Sequence, residues 1–335
     1  MLPPTDVAEP SPSPASGPMS VAVIIVNWNG WQLSLDCLAS LRRSEGIDWH
    51  LYLVDNASTD ASADHLRALG DDVTVLFSDV NGGWTGGNNL AIRRALDDGF
   101  DNIFILNNDA QVLPETMNEL LRTSLAHGGD PILGPLHLSG DGGTPEFVGA
   151  TVNSGTGLAD ITNIDNVRLD DLPPLYATAF IKGAGIFANR RHFKTLGLFD
   201  DAYFLNYDDT DWAFRARKAG YPLIMVRSAH IIHDGSGSIG GGYSPLNVYF
   251  LARNQLLFAE RHCRLAQRPR QIIEFIRQGN RLTPARSQIT RLFALLFGRS
   301  RLALAWRAGV RDYLLRRFGD CPPSVRRLSV SNDVA

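Results

Sequence analysis

The amino-acid sequence predicts an α/β fold in which a mostly parallel central sheet is flanked by helices. Between residues 21 and 126, short apolar runs alternate with segments whose apolar residues recur at helical spacing. One run, Ile103–Leu106, leads directly into Asn107, Asn108 and Asp109. Because ligands of such sheets bind beyond the carboxyl ends of the strands, we expect the functional site at this edge.

The predicted elements follow from the residue pattern in chain order. The predicted strands are Val21–Val26, Leu51–Val54, Val73–Phe77, Ile103–Leu106, Ile132–Leu138, Ile181–Ala188 and Tyr221–Val226. The predicted helices follow Gly30 and the Asp55–Asp60 turn, and then occupy Leu90–Leu96, Pro114–Ala126, Asp209–Ala219 and about Pro245–His262. The strands are short apolar runs, and the helix starts show polar turn residues or proline.

Two connections are predicted to lack regular structure. Asn81–Asn89 contains four glycines and is predicted to be a flexible loop. Its backbone N–H groups then face a nucleotide or diphosphate; the alternative is a mobile turn without a ligand. Residues 139–175 are predicted to form a long polar connection.

Composition indicates an ordinary globular chain, with 335 residues, 44% hydrophobic and 20% charged. Residues 1–18 are predicted to be a disordered Pro/Ser-rich tail, since they lack the basic start and apolar core of a secretion signal. No apolar run is long enough to span a membrane. The three cysteines show no metal or disulfide spacing, so we expect a cytoplasmic protein with reduced thiols.

The segment from 261 to 327 differs from the rest of the chain in charge. It contains 16 Arg, no Lys and three acids, whereas the remaining residues contain 32 − 16 = 16 basic and 35 − 3 = 32 acidic side chains. We predict a globular domain at 19–260, an Arg-rich amphipathic helical extension at 261–327 and a flexible terminus at 328–335. The extension suits an anionic membrane surface; the alternative is packing on the domain or on a second copy. Nucleic acid is a poorer candidate because the other part is acidic.

Polar side chains at the predicted strand ends are the candidate ligand contacts. Asp55 closes the second strand and can accept a hydrogen bond from a uracil or thymine ring, whereas Asp60 is better explained as a helix cap. Asp109 can hold a hard divalent cation that also binds substrate phosphates. His233, followed by a polar Gly-rich stretch, is the candidate second metal ligand.

Asp208, Asp209 and Asp211 form a cluster of acids at the start of a predicted helix. Carboxylates in the first turn stabilise a helix through its dipole, which is the simpler explanation. Three carboxylates carry more negative charge than helix capping requires, and crowding raises their pKa values towards that of a general base. One acid can therefore take a proton from an acceptor hydroxyl.

Together these segments resemble the family 2 glycosyltransferases, and more closely their bacterial rhamnosyltransferase-like branch. The matching pieces are Val23–Gly30, Val54–Ser58, Asn81–Asn89, Leu106–Asp109, Lys182–Gly185, Gly197–Asp200, Tyr207–Asp211, Arg215–Tyr221 and His233. The resemblance covers about residues 20–260 in the family's order. It implies a GT-A fold and an inverting transfer from a nucleotide-diphosphate sugar.

The resemblance also implies a role for each site residue. The implied nucleotide-sugar contacts are Val26, Asn27, Asn29, Asp55, Asn56, Gly83, Asn88, Asn107 and Asn108. The implied acceptor contacts are Asp208, Asp211, Trp212, Lys182 and Gly183. Asp209 is the implied base, and Asp109 and His233 are the implied ligands of Mg²⁺ or Mn²⁺. This chain departs from the fuller acidic metal motif by carrying Asn at 107 and 108.

The resemblance predicts a sugar transferase of cell-surface polysaccharide assembly. Its first expected donor is dTDP-rhamnose, and its expected acceptor is a glycan or a lipid-linked glycan on the inner face of the cell membrane. One alternative is a catalytically inactive nucleotide-sugar-binding subunit. A nucleotidyltransferase is the other, but the sequence lacks a Gly-rich signature with a basic residue directly after the first strand.

Overall fold

A computed structural model describes residues 20–70, 72–153, 155–165, 167–233, 244–282 and 287–330. The predicted disordered tail at 1–18 lies outside these residues. Of the predicted flexible terminus at 328–335, the first three residues belong to the last helix, and the others lie outside the described ranges.

Twelve strands occur in the described residues. In chain order, β1 to β12 are Val21–Asn27, Trp49–Asp55, Val73–Phe77, Asn102–Leu106, Ala110–Val112, Ile132–Leu138, Pro145–Phe147, Ala150–Val152, Ala159–Ile161, Leu175–Ala177, Gly185–Asn189 and Leu223–His233. Ten of them form one sheet, whose path is β10-β12-β6-β11-β4-β1-β2-β3, with β5 on β12 and β7 on β6. β8 and β9 form a separate pair.

The described residues also form eleven α-helices. In chain order, α1 to α11 are Trp31–Leu41, Ser62–Arg67, Gly83–Asp97, Thr116–Ala126, Arg190–Leu196, Asp208–Lys218, Pro245–His262, Arg268–Arg281, Gln288–Phe297, Arg301–Leu314 and Pro323–Val330. Short 3-10 turns occur at Leu169–Asp171 and Leu265–Gln267. The last four helices confirm the predicted C-terminal helical extension, and none of the helices in the described ranges is long and apolar enough to cross a membrane.

The half of the sheet that carries the first strands is parallel. β1 pairs in parallel with β2 and β4, and β2 pairs in parallel with β3. In the other half, β11 runs antiparallel to β4 and β6, while β6 and β12 are parallel. The predicted α/β fold is therefore confirmed, with a mixed sheet where a mostly parallel one was predicted.

The alternation of side chains along β1 explains why this strand is apolar throughout. Ala22 and Ile24 pack in the cluster that contains α3 residues, whereas Val21, Val23 and Ile25 pack in the cluster that contains α1 residues. Both faces of the strand are thus covered, as expected for a central parallel strand.

The predicted flexible loop at Asn81–Asn89 is wrong, because α3 begins at Gly83. Gly87 packs against β1: a Cβ there would lie 2.6 Å from Val26 Cγ1. The glycine therefore permits close helix–strand packing, which the prediction mistook for backbone flexibility.

Three further element predictions need correction. β11 begins at Gly185 instead of Ile181, and β12 continues to His233 instead of ending at Val226. The predicted polar connection at 139–175 contains the short strands β7, β8 and β9. Hydrogen bonds to neighbouring strands, which local sequence pattern does not encode, set these limits.

The chain divides into two compact units. The first comprises the described residues up to Thr151, Ala159–Phe199 and those from Asp209 to the end of β12, and it contains the large sheet. The second comprises Val152–Leu158, Asp200–Asp208 and the described residues beyond β12. The core of the second unit is helical and centres on Tyr249, Phe250 and Trp306.

Candidate active site

The carboxyl ends of β1 and β2 present a buried polar pair. Asn27 and Asp55 are register partners, and Asn27 Nδ2 lies 3.2 Å from Asp55 Oδ1. Ser34 Oγ donates to Asn27 Oδ1 at 2.9 Å and accepts from Asn108 Nδ2 at 3.3 Å. A hydrogen-bond chain therefore connects Asp55 with the segment after β4, which the sequence placed at the same sheet edge.

Asn29 shapes the turn that follows β2. Its φ is +51°, a conformation that asparagine tolerates better than most residues. Its backbone N–H donates to Ser58 Oγ at 2.9 Å, and its Oδ1 accepts from the Thr59 N–H at 2.7 Å. Asp60 Oδ1 accepts from the N–H of Ser62, the first residue of α2, although Ala61 and not Asp60 occupies the N-cap position.

Asn56 fixes the start of α3. Its Nδ2 donates to the Gly83 carbonyl at 2.9 Å, and its Oδ1 accepts from the Gly82 N–H at 3.0 Å. One turn later, Asn88 is buried and donates to the Trp84 carbonyl at 2.8 Å. These contacts give Asn56, Gly83 and Asn88 a role in positioning Trp84.

Trp84 connects two parts of the site and was not identified from the sequence. Its Nε1–H donates to Asn107 Oδ1 at 2.9 Å. On its other side, a Cβ added at Gly183 would lie 2.9 Å from Trp84 Cζ2 and 3.1 Å from Asp209 Oδ2. A tryptophan among glycines in a polar segment was the only available signal in the sequence.

Asp209 is a partly buried carboxylate held by backbone donors. Its Oδ2 accepts from the Gly183 N–H at 2.8 Å, and its Oδ1 accepts from the Thr210 N–H at 2.6 Å. Burial raises the pKa of Asp209 above its ordinary value, against the lowering effect of these hydrogen bonds and of Lys182. A carboxylate in this state has the properties of a general base.

The other members of the acid cluster have different surroundings. Asp208 is buried, and Asp211 pairs with Arg215 at 2.7 Å. The structure places Trp212 in the core, 1% exposed, where its Nε1–H donates to the Gly197 carbonyl. This indole is therefore part of the support beneath the site, which is a different position from that expected of an acceptor contact.

Asp109 and His233 lie together, as the sequence predicts. Asp109 Oδ1 is 3.4 Å from His233 Nε2, and Glu146 Oε2 is 3.3 Å from His233 Nδ1. Burial lowers the pKa of His233, but the two carboxylates outweigh that effect and raise it to about 9. The two carboxylates therefore stabilise the protonated, positively charged form of the His233 imidazole.

His137 and Glu146 complete this group and were not identified from the sequence. One ligand atom from each of His137, Glu146 and His233 lies within 4.8 Å of the others. His137 is fully buried, and both of its ring nitrogens lack a hydrogen-bond partner among the described residues. These nitrogen and oxygen donors fit a divalent cation. Histidine within an otherwise apolar strand was the available signal.

Lys182, predicted as an acceptor contact, lies beside this group. Its Nζ is 3.5 Å from Glu146 Oε1, and both side chains are about one-third exposed. The structure therefore brings Lys182 next to the candidate metal ligands, while the adjacent Gly183 contacts Asp209.

Residues 22–174 match the sequence profile described as Glycosyl transferase family 2. An uncharacterized protein of Mycobacterium tuberculosis is 30% identical over 202 residues, which span 59% of this chain and 67% of that protein. The chain belongs to glycosyl transferase family 2. The resemblance inferred from the motifs is thereby confirmed.

The relatives of this family 2 glycosyltransferase whose names specify an activity include two rhamnosyltransferases. The dTDP-rhamnosyl transferase RfbF of Shigella flexneri is 22% identical over 262 residues, covering 76% of this chain and 85% of that protein. The N-acetylglucosaminyl-diphospho-decaprenol L-rhamnosyltransferase of Mycobacterium tuberculosis is 26% identical over 243 residues, covering 67% and 79%.

A solved structure confirms the GT-A fold of this family 2 glycosyltransferase. The mannosyltransferase PcManGT from Pyrobaculum calidifontis, in complex with GDP-Man and Mn²⁺, matches with a TM-score of 0.56 at 16% identity. The match covers 92% of this chain and 90% of that one.

Proposed function

We propose that this chain transfers a sugar, with inversion, from a nucleotide-diphosphate donor to a hydroxyl of a glycan or lipid-linked glycan. One observation carries the proposal. Through Trp84, which contacts both Asn107 and Gly183, the segment that ends in Asp109 is connected with the Asp209 carboxylate. Asp109, the proposed donor-side acid, and Asp209, the candidate base, are therefore linked by one continuous chain of contacts.

Asp209 is the proposed base. Its two oxygens are oriented by backbone N–H groups, so the carboxylate is held in place before any substrate arrives. The raised pKa improves its ability to take the proton from an acceptor hydroxyl. The deprotonated oxygen then attacks the anomeric carbon from the face opposite the diphosphate, which inverts the configuration.

Asp109 and His233 would hold the divalent cation on the donor side. Such an ion, when bound, offsets the charge that develops on the departing diphosphate. The two side chains face each other at 3.4 Å, and the carboxylate and imidazole donors suit Mn²⁺ or Mg²⁺. The similar mannosyltransferase structure was solved with Mn²⁺, which supports the same ion class.

The Asn27–Asp55 pair is the proposed nucleobase end of the donor site. Both side chains are buried at the carboxyl ends of parallel strands, where nucleotides bind in open α/β sheets. The Asp55 carboxylate can accept from the N3–H of thymine. The name of the Shigella relative supports dTDP-rhamnose as the first donor to test.

A screen of nucleotide sugars, scored by release of free nucleoside diphosphate, tests the proposal. The full-length protein should release nucleoside diphosphate only with donor, acceptor and Mg²⁺ or Mn²⁺, and a chelator should stop release. Asp209→Asn should lower turnover by roughly 10²–10⁴-fold while donor affinity persists. Unchanged turnover would exclude Asp209 as the base, and donor binding without any turnover would identify a binding subunit.

The C-terminal helices are the proposed membrane contact, which would bring the enzyme to a lipid-linked acceptor on the cytoplasmic side. α9 exposes Ile289, Phe293, Leu296 and Phe297 at helical spacing on one face. The 16 arginines between residues 261 and 327 add charge complementary to anionic lipids. The lipid-diphosphate in the name of the mycobacterial rhamnosyltransferase supports this acceptor class.

Vesicle flotation tests the membrane contact separately. The protein should float with vesicles that contain phosphatidylglycerol and stay unbound with neutral phosphatidylcholine vesicles. Phe293→Ser combined with Phe297→Ser should abolish flotation, whereas Ile161→Ser, which changes an exposed apolar residue of the first unit, should not. Equal flotation of both variants would exclude α9 as the contact.

A further inference from the structure

The segment that precedes Asp209 has an unusual backbone. Phe204, Asn206 and Tyr207 have φ values of +65°, +65° and +68°, in the left-handed region. Such values are uncommon for residues other than glycine, and they are least expected of bulky side chains such as Phe and Tyr. A strained backbone of this kind persists only where neighbouring groups hold it, and it is concentrated at functional sites. The groups that hold this segment therefore influence the position of the base that follows it.

Two side chains of α7, Asn254 and Arg253, form a carbonyl clamp on this segment. Asn254 Nδ2 lies 2.9 Å from the carbonyl oxygen of Tyr203, and 2.7 and 2.8 Å from those of Leu205 and Asn206. An amide nitrogen carries two hydrogens, so three acceptors engage its full donor capacity. Asn254 is 0% exposed, so water does not compete for these hydrogen bonds. One nitrogen thereby ties the backbone on both sides of Leu205 to α7.

Arg253 extends the clamp and orients it. Its Nε–H donates to Asn254 Oδ1 at 2.9 Å, which leaves Nδ2 on the side of the carbonyls. Nη2 donates to the carbonyl oxygens of Ala202 and Tyr203 at 3.1 and 2.8 Å, and Nη1 donates to that of Gly319. The guanidinium is 0% exposed. A buried charge requires compensating hydrogen bonds, and two of its carbonyl acceptors belong to the segment before the base.

We propose that Arg253 and Asn254 are positioning residues for sugar transfer, because they hold residues 202–207 in the backbone conformation that presents Asp209. The inference rests on the proposed function, in which Asp209 is the base. Neither side chain needs to touch a substrate, since a single residue, Asp208, separates the clamped segment from Asp209 along the chain. A change of the left-handed dihedral angles would therefore change the direction in which the chain enters the base.

Steady-state kinetics of Asn254→Ala, with nucleoside diphosphate release as the signal, tests the inference. Misplacement of a reacting group by about 1 Å can cost roughly 100-fold in rate, so we expect kcat to fall by about 10-fold or more and the KM for the donor to change by less than about 2-fold. The acidic limb of kcat/KM should also move to lower pH, because a displaced Asp209 loses the burial that raises its pKa. A variant that only lost stability would contain less active protein at every pH and would keep the limb in place.

Gln255→Ala is the matched control. Gln255 is the next residue of α7, it is 5% exposed, and its Nε2 has no hydrogen-bond partner among the described residues. Its replacement removes a similarly buried amide from the same helix, so kcat and the acidic limb should keep their wild-type values. Arg253→Lys keeps a positive charge but lacks the planar fork that serves several acceptors at once, so it should reproduce the changes seen in Asn254→Ala.

Hydrogen exchange of the full-length wild-type protein gives a second test that needs neither a variant nor turnover. The amides of residues 203–207 should exchange about 100-fold or more slowly than those of an unstructured peptide of the same sequence, because the clamp opposes local opening. Rapid exchange of these amides would overturn the inference, and so would wild-type kcat in folded Asn254→Ala. If the segment is protected but the wild-type protein releases no nucleoside diphosphate with any donor, the proposed transfer fails and the conformational role of the clamp does not.

Discussion

Replacement of Gly183 by alanine is the most direct test of the contacts that connect the two halves of the site. The added Cβ would lie 2.9 Å from Trp84 Cζ2 and 3.1 Å from Asp209 Oδ2. Gly183 also donates its N–H to that Asp209 oxygen at 2.8 Å. The methyl group therefore presses on the indole and on the proposed base at once.

The size of the effect follows from these distances. Ordinary contacts of a Cβ begin at 3.4 Å, so the indole must retreat by about 3.4 − 2.9 = 0.5 Å and the carboxylate oxygen by about 3.4 − 3.1 = 0.3 Å. Overpacking of this kind costs about 1–3 kcal/mol. Since misplacement by about 1 Å can cost roughly 100-fold in rate, we expect kcat to fall by about 10-fold or more.

Steady-state kinetics of nucleoside diphosphate release, with thermal unfolding, measures both consequences. Gly86→Ala is the matched control, because its added Cβ meets no atom within 4 Å and lies in the same helix as Trp84. We expect Gly86→Ala to keep wild-type kcat. If folded Gly183→Ala also kept wild-type kcat, the contacts between Trp84, residue 183 and Asp209 would be irrelevant to turnover.

Three further predictions follow from single contacts. Burial raises the pKa of Asp209 above 3.8, so its ionised form, which acts as the base, is lost as the pH falls through this raised value. A plot of kcat/KM against pH should therefore fall on the acidic side. Asp209→Asn should abolish this acidic limb. Arg215→Met removes the 2.7 Å ion pair with buried Asp211 and the hydrogen bonds to the Leu196 and Leu198 carbonyls, so urea denaturation should show a loss of about 3–5 kcal/mol. Gly87→Ala places a Cβ 2.6 Å from Val26 Cγ1 and should cost about 1–3 kcal/mol in the same assay, whereas Gly86→Ala should not.

Elements with strong local signals were predicted well from the sequence. The observed bounds of Val73–Phe77, Ile132–Leu138 and Pro245–His262 are those predicted. The first two are short apolar runs between turn residues, and the third has a proline at its first position after a capping serine. The flexible loop predicted at Asn81–Asn89 was wrong. Side-chain hydrogen bonds from Asn56 and packing on β1 stabilise the start of a helix there, although the glycine content disfavours a helix.

The sequence predicted the site residues whose positions depend on a single strand end, and it missed those whose positions depend on the register between strands. Asp109 follows β4 directly and does lie beside His233, as predicted. His137 and Glu146 meet the same imidazole only because β6 pairs with both β7 and β12 in particular registers. A one-residue slip would turn these side chains to the opposite face, and a single sequence does not specify that register.

Trp84 explains how distant segments can form a site before any ligand binds. Its indole N–H holds Asn107, its ring touches Gly183, and Phe199 packs edge-on against it with ring centroids 4.9 Å apart. Trp212 in turn packs against Phe199 at 5.4 Å, which makes this predicted acceptor contact a support behind the site. Rigid aromatic packing fixes the separation between the Asn107 segment and the proposed base Asp209, so binding energy need not be spent on bringing them together.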